Sequence, residues 1–370
     1  MPTIRLVNVT KRFGNITAIK NLSLTVNDGE YVCILGPTGS GKTTLLRLIA
    51  GIIKPEKGEI YFDNRLMNNV PPQERNVAYV PQQYALFPHL KALENVAFGP
   101  LSKGLSREEA YKIGMQMLEM MRLAWRANAL PHELSGGMQQ RLALARGLAS
   151  GAKILLLDEP LGALDARLRM ELRYKLREIA KDNNLTTIHV THDQEEAMSI
   201  ADRIVILRNG EKQQEGTPWQ IYNEPKNIFV AHFIGGANFL EGFIAETDAH
   251  GSWIQLKNGF FLRVNETGWK DGERVVVMIR EEKTEIMKAS ERKEEINLFP
   301  GTIEEISFLG DFMNYRILLD NSDIVNSKIS TLLGVKRFRI REKVFVRLRT
   351  EHLKLYPYPP EGLYRELEVI

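Results

Sequence analysis

Apolar and polar residues alternate over residues 4–9 and 22–26, the period-two pattern of strands, and the pair leads into an apolar run, Tyr31–Leu35. Residues 45–50 then read as helix, and residues 59–62 with Asp63-Asn64 as a strand and turn. From residue 90 to about 130 the spacing is helical and rich in Met, Leu, Glu and Arg, with Ser106-Arg107-Glu108-Glu109 resembling a capping box. A helix follows Gly137, then a buried-type strand at 154–157, a helix over Ala166–Asp182 and a strand at 187–190. Strands alternating with helices predict an α/β fold, a mostly parallel sheet flanked by helices. Met115, Met117, Met120 and Met121 could form an adaptable docking face, but their helical spacing reads as core.

The pattern changes around residues 233–238. Beyond it short strands and turns follow one another, at 253–256, 275–279, 315–319 and 344–348, with a turn at Asn258-Gly259, so the tail reads as all-β. Two stretches recur weakly. Residues 277–283 resemble 346–352, and Gly242-Phe243-Ile244-Ala245-Glu246 resembles Gly301-Thr302-Ile303-Glu304-Glu305, as two related small β-barrels would produce. These readings set domains at 1–235, with a helical subdomain over about 90–150, and at 236–370. The mixed-charge run 281–295 reads as a solvated edge or loop. In 336–341, Phe338 and Ile340 alternate with arginines, which fits an exposed strand face better than an anion site.

Composition narrows the classes. At 370 residues with 44% hydrophobic and 26% charged content, the chain suits two or three globular domains. A net charge of +3 does not call for a nucleic-acid partner. Cys33, the one cysteine, sits in an apolar run and reads as a small core residue in a reducing compartment. Residues 1–5 lack a signal-peptide core, and no apolar run approaches the ~20 residues that cross a bilayer, so a membrane role is expected to run through a partner.

Gly36-Pro37-Thr38-Gly39-Ser40-Gly41-Lys42-Thr43-Thr44 stands between a predicted strand and a predicted helix. Glycines let such a loop curl so that successive N–H groups face phosphate oxygens, at the positive end of the following helix. Lys42 can reach the β- and γ-phosphates and the Thr43 hydroxyl can take Mg²⁺, so the loop reads as a nucleoside-triphosphate site. Leu134-Ser135-Gly136-Gly137-Met138-Gln139-Gln140-Arg141 opens a helix with free N–H groups. Asp158 and Glu159 close an apolar strand, where one carboxylate can serve Mg²⁺ and the next the attacking water. His192 follows another strand.

In order, the set resembles the ATP-binding-cassette family over roughly residues 3–235: phosphate loop, a glutamine loop at Gln82, signature, carboxylate strand, the loop Ala163-Leu164-Asp165 and the switch His192. Residues 218–225, 229–235 and 238–242, with the β-rich tail, resemble ATPase subunits of prokaryotic solute importers of the maltose, glycerol-phosphate, polyamine, iron and oxyanion type, whose tails carry paired oligonucleotide-binding-like regulatory folds.

The resemblance implies a head-to-tail homodimer with each ATP held between one subunit's phosphate loop and the other's signature helix. Phe13 would stack on adenine. Gly36, Pro37, Thr38, Gly39, Ser40, Gly41, Lys42, Thr43 and Thr44 would hold phosphates, and Thr43, Gln82 and Asp158 would serve Mg²⁺. Glu159 would be the general base, with His192 and Gln82 completing the catalytic set, and Ser135, Gly136 and Gly137 would close on the partner's ATP. The expected place is the cytoplasmic face of a membrane. Transmembrane permease subunits would dock on residues 82–89, Gln82 to His89, and a solute-binding protein would act indirectly. Met138 departs from the family's usual glutamine, and Phe13 from its usual tyrosine. His192 and Glu196, four apart, make no zinc site without a third ligand, and His189 reads as a strand residue facing a neighbour. Two rival readings are a soluble cassette ATPase of translation or repair, disfavoured by the single phosphate loop, and a nucleotide-switched regulatory protein, disfavoured by Glu159 and His192.

Overall fold

The computed structural model describes residues 2–288, 290, 295–332 and 338–368, and the chain divides into two compact units between Glu224 and Pro225. The first unit opens with a hairpin, β1 (Ile4–Phe13) and β2 (Ile16–Val26), followed by β3 (Tyr31–Leu35) and α1 (Lys42–Ala50). Strands β4 (Lys57–Phe62) and β5 (Arg65–Leu66) return to the hairpin, and β6 (Val77–Val80) follows. Then come α2 (Ala92–Ser102), α3 (Arg107–Met120) and α4 (Gly136–Ala149). The remainder alternates: β7 (Ile154–Asp158), α5 (Ala166–Asp182), β8 (Thr186–Val190), α6 (Gln194–Ile200), β9 (Arg203–Arg208), β10 (Glu211–Gly216) and α7 (Pro218–Asn223).

The main sheet is ordered β10-β9-β3-β8-β7-β6, parallel throughout except for β10 on β9. This is the mostly parallel α/β arrangement that the residue pattern predicts, joined by an antiparallel sheet β2-β1-β4-β5. Every residue of β3, β7 and β8 is buried, so these strands read as continuous runs, whereas β1 and β2 have a solvated face and alternate. Strand β7 serves two cores. Leu156 faces the one formed with α1, β1 and β2, and Leu155 and Leu157 face the one formed with α2, α4 and α5. The methionine run belongs to this second core, with Met121 fully buried. Ser106 caps α3 as its sequence suggests: its hydroxyl accepts the Glu109 N–H and the Glu109 carboxylate accepts the Ser106 N–H. The Arg75 guanidinium donates to the Leu48 and Ile49 carbonyls and so closes the carboxyl end of α1.

The second unit starts with α8 (Ile228–Phe233), whose Ile228 and Ala231 share a core with Val276, Met278 and Tyr356. That packing places α8 in the second unit, which begins at Pro225. Five strands form the order β13-β12-β11-β14-β20: β11 (Ala237–Asp248), β12 (Gly251–Gln255), β13 (Phe261–Val264), β14 (Arg274–Arg280) and β20 (Lys354–Pro357). Five more form β15-β19-β16-β17-β18: β15 (Thr284–Lys288), β16 (Leu298–Phe308), β17 (Phe312–Leu319), β18 (Ile324–Ser330) and β19 (Lys343–Leu348). A short helix, α9 (Leu363–Leu367), follows.

The sequence repeat is a structural one. Gly242 and Gly301 stand at matching places in β11 and β16, and each strand bulges just after, between Ile244 and Glu246 and between Ile303 and Glu305. Strand β15 is an edge strand, in keeping with the mixed-charge run, of which residues 289 and 291–294 lie outside the described residues. The exposed strand expected at 336–341 is not formed over residues 338–341. Phe338 is buried edge-on against Tyr315, ring centroids 5.6 Å apart, and Arg341 turns the chain with φ of 67°. Lys336 and Arg337 lie outside the described residues.

Candidate functional site

Four neighbouring parallel strands, β3, β8, β7 and β6, end on one edge of the sheet, the edge where α/β proteins place ligands. The glycine-rich loop leaves β3, His192 stands two residues beyond β8, Asp158 ends β7 with Glu159 next, and Gln82 stands two residues beyond β6. Parallel topology thus gathers residues that are far apart in the chain. Gln82, Glu159 and His192 line a cleft of about 470 Å³ together with Ala18, Thr38, Gly39 and residues 41–44, and the buried Asp158 reaches it through its bond to Thr43.

The loop needs its glycines for different reasons. A Cβ on Gly36 would sit 2.3 Å from the Leu207 carbonyl oxygen, and one on Gly41 2.3 Å from that of Ala18. Gly39 meets no neighbour, but its φ of 81° is one that side chains disfavour. Lys42 folds its ammonium back onto the Gly36 and Pro37 carbonyls, both at 2.8 Å, and burial lowers its pKa. Ser40, 2% exposed, packs beneath the loop and its hydroxyl has no partner among the described residues.

On the facing side, Asp158 is 2% exposed. The Thr43 hydroxyl donates to its Oδ1 at 3.0 Å and the Tyr79 hydroxyl to its Oδ2 at 3.1 Å. Burial raises the Asp158 pKa against the pull of these two donors, and burial with the Asp158 charge pushes Tyr79 up to about 12. Thr43 and Asp158 are hard oxygen donors side by side, the kind that suits Mg²⁺ bound through phosphates. Among the described residues no group of three or more His, Cys, Asp or Glu could hold a metal alone.

Glu159 stands at φ of 50°, a left-handed conformation, so its neighbours must hold it there. Its N–H donates to the Val190 carbonyl at 2.9 Å. Its carboxylate accepts the Gln82 amide at 2.9 Å and lies 3.3 Å from Nδ1 of His192. On the strand before His192, the buried His189 ring shares a hydrogen bond with the Tyr31 hydroxyl at 2.9 Å; Glu196, 3% exposed, accepts the Thr191 hydroxyl at 2.6 Å.

Other residues singled out from the sequence lie apart from this cleft. Phe13 ends β1, is 48% exposed and carries the Lys11 ammonium 5.3 Å from its ring centre. Ser135 caps α4, with Gly136 and Gly137 forming its first turn, and none of the three lines the cleft. Met138 packs against the helical core instead of replacing a polar contact. Within residues 82–89, Tyr84 and Ala85 are both left-handed, at φ of 61° and 46°. Arg146 of α4 donates to their carbonyls at 3.2 and 2.8 Å, and the Phe87 ring lies tilted by 45° against the half-exposed Phe98, centroids 4.5 Å apart. Sequence reasoning missed Tyr79, which bonds Asp158, and Ala18, which lines the cleft; both places depend on strand order and not on a local pattern.

The arrangement can cradle phosphates, hold a divalent cation beside them and orient a water. A family model described as ABC transporter matches residues 19–162, and one described as TOBE domain matches residues 277–355. The spermidine/putrescine import ATP-binding protein PotA of Thermotoga maritima is 40% identical over 324 residues, 87% of this chain and 88% of that protein. Its counterpart in Acetivibrio thermocellus is 44% identical over 294 residues, 78% of this chain and 81% of that one. A solved dimeric ATP-binding cassette in a post-hydrolysis state, bound to ADP and Pi, matches at 38% identity with a TM-score of 0.55. It covers 58% of this chain and 98% of its own.

Proposed function

The chain belongs to the ABC transporter family as an importer-type ATPase subunit with a C-terminal TOBE domain, and from that premise we propose how its own residues bind and cleave ATP. One observation carries the proposal: four adjacent strand ends bring Lys42, Thr43, Glu159, Gln82 and His192 around a single cleft, with Asp158 bonded to Thr43 at its side. The loop N–H groups and Lys42, released from its two carbonyls, take the phosphates. Thr43 and Asp158, with the Gln82 carbonyl, would hold Mg²⁺, whose charge would offset that of the phosphate oxygens. Glu159 orients a water toward the γ-phosphorus and takes its proton as the bond to the β-phosphate oxygen breaks, while His192 meets the γ-phosphate.

Ser135, Gly136 and Gly137 lie outside this cleft at an exposed helix start, which supports their use on the ATP of a second copy. The chain works at the cytoplasmic face of the membrane. Among its described residues no helix is long and apolar enough to cross, so movement passes through permease subunits docked near residues 82–89. Half-exposed Phe98 extends that surface beside Phe87. Both relatives carry spermidine/putrescine import in their names, so polyamines are the first solutes to assay. The test is ATP-driven uptake by vesicles holding the permease subunits and this chain. Solute-stimulated ATPase supports the reading, and ATPase indifferent to permease and solute overturns it.

A further inference from the structure

Gln140 lies on α4, one turn beyond Gly136 and Gly137, and is 4% exposed. Its amide nitrogen donates to the main-chain carbonyl of Glu159 at 2.9 Å, and its amide oxygen accepts the main-chain N–H of Ala163 at 2.9 Å. Both ends of a buried side chain are thus spent on the turn between β7 and α5, with neither left for solvent or ligand. The same turn is packed tightly against the start of α4. A Cβ on Gly137 would come within 3.2 Å of the Ala163 carbonyl oxygen and 3.4 Å of the Leu164 side chain.

What Gln140 grips is a conformation that does not hold itself. For a residue other than glycine, left-handed backbone is strained, and Glu159 stands at φ of 50°. The direction of the Glu159 side chain follows from that backbone, so releasing it re-aims the carboxylate. Val190 holds the N–H of Glu159, while Gln82 and His192 hold its carboxylate. The carbonyl is held by Gln140, from the helix that begins with Ser135, Gly136 and Gly137.

We propose that Gln140 is a positioning residue for hydrolysis: it holds the backbone of Glu159, and through it the carboxylate, in register with the signature helix. The assignment rests on Glu159 being the base. In a head-to-tail pair, the helix that closes on one ATP is then bonded to the base that acts on the other. A shift of α4 on closure reaches that base through one side chain.

The experiment compares full-length Gln140→Leu, which keeps the bulk and loses both hydrogen bonds, with Gln140→Glu, which keeps the acceptor for Ala163 and loses the donor to Glu159. Turnover should fall about 10- to 100-fold in both, the order expected when a catalytic group is misplaced by about 1 Å. ATP affinity, measured by equilibrium binding without turnover, should stay at the wild-type value. Added to Glu159→Gln, Gln140→Leu should lower the residual turnover no further, because it acts through a group already removed. Wild-type turnover in both Gln140 variants, while Glu159→Gln is inactive, overturns the inference and leaves the base assignment standing. Normal turnover in Glu159→Gln overturns the base assignment itself. Loss of ATP binding in proportion to turnover, with a lowered melting temperature in both variants, assigns Gln140 to the fold alone and also overturns the inference.

Discussion

The side-chain amide of Gln82 donates to Oε2 of Glu159 across 2.9 Å, tying the end of one strand to the end of its neighbour. Gln82, expected beside a metal, is therefore turned toward the base, with its own carbonyl at the other end of the amide. Replacing Glu159 by Gln keeps the size of the side chain and removes its basicity. Turnover should fall at least ~100-fold, the low end of a general-base contribution, while ATP still binds and the ATP-bound form collects as a dimer. Phosphate release and gel filtration in the presence of ATP check both halves.

Phe13 offers a ring at the exposed end of β1. If it stacks on adenine, Phe13→Ala should weaken ATP binding by about 1 kcal/mol and Phe13→Tyr should leave it unchanged, since stacking uses the ring and not a hydroxyl. Titration calorimetry with ATP separates the two. Equal affinities for the alanine variant and the wild type would leave Phe13 an ordinary hairpin residue.

Tyr84 packs on the helical core, whereas Phe98 is half-exposed and lies tilted against the partly buried Phe87. The docking surface is better tested on that pair. Phe87→Ser with Phe98→Ser should leave ATP binding by the isolated protein intact and abolish capture of permease subunits and stimulated uptake. A well-folded double variant, checked by thermal melting, that still supports full transport would place the permease elsewhere.

Burial holds the His189 imidazole below its ordinary pKa of 6.5, against the opposing pull of Glu196 and with a smaller contribution from Arg173. The folded protein keeps this ring neutral while the unfolded chain protonates it. Below pH 6.5, down to the lowered value, the unfolded state binds more protons, so stability falls as pH drops through that window. The limit is about 1.4 kcal/mol per pH unit. His189→Gln keeps hydrogen-bonding atoms and removes the titration. Its melting temperature should fall less steeply than that of the wild type as pH is lowered from 6.5, and parallel curves would assign the loss to other groups.

The strands around the cleft were legible where burial makes them simple. Tyr31–Leu35 has no polar residue facing solvent and announces itself as an apolar run. Strand β9, with Ile204, Val205, Ile206 and Leu207 fully buried, carries an equally plain signal that the reading passed over. Individual partners were less legible, because they depend on strand order. Nothing near Tyr79 in the chain says that β6 lies beside β7 and brings its hydroxyl to Asp158. Gln140 stood in plain view inside the signature, yet its bond to Glu159 appears only once α4 is packed on the turn after β7. At Phe338 alternation misled, because an aromatic beside arginines fits an exposed strand as well as it fits a loop that drops one ring into a core.

Strand β14 leads into β15, which joins the opposite sheet, and β19 leads into β20, which returns to pair with β14. Each half of the duplicated β unit is completed by a strand from the other. The copies have become mutually obligate: neither can be shed without leaving its twin a strand short. A chain severed between Lys288 and Leu298 would yield two fragments, each holding four strands of one sheet and the closing strand of the other. Reassembly would be complementation in trans and not two independent foldings. The two halves repeat one another in form, and the crossed strands bind them into one unit.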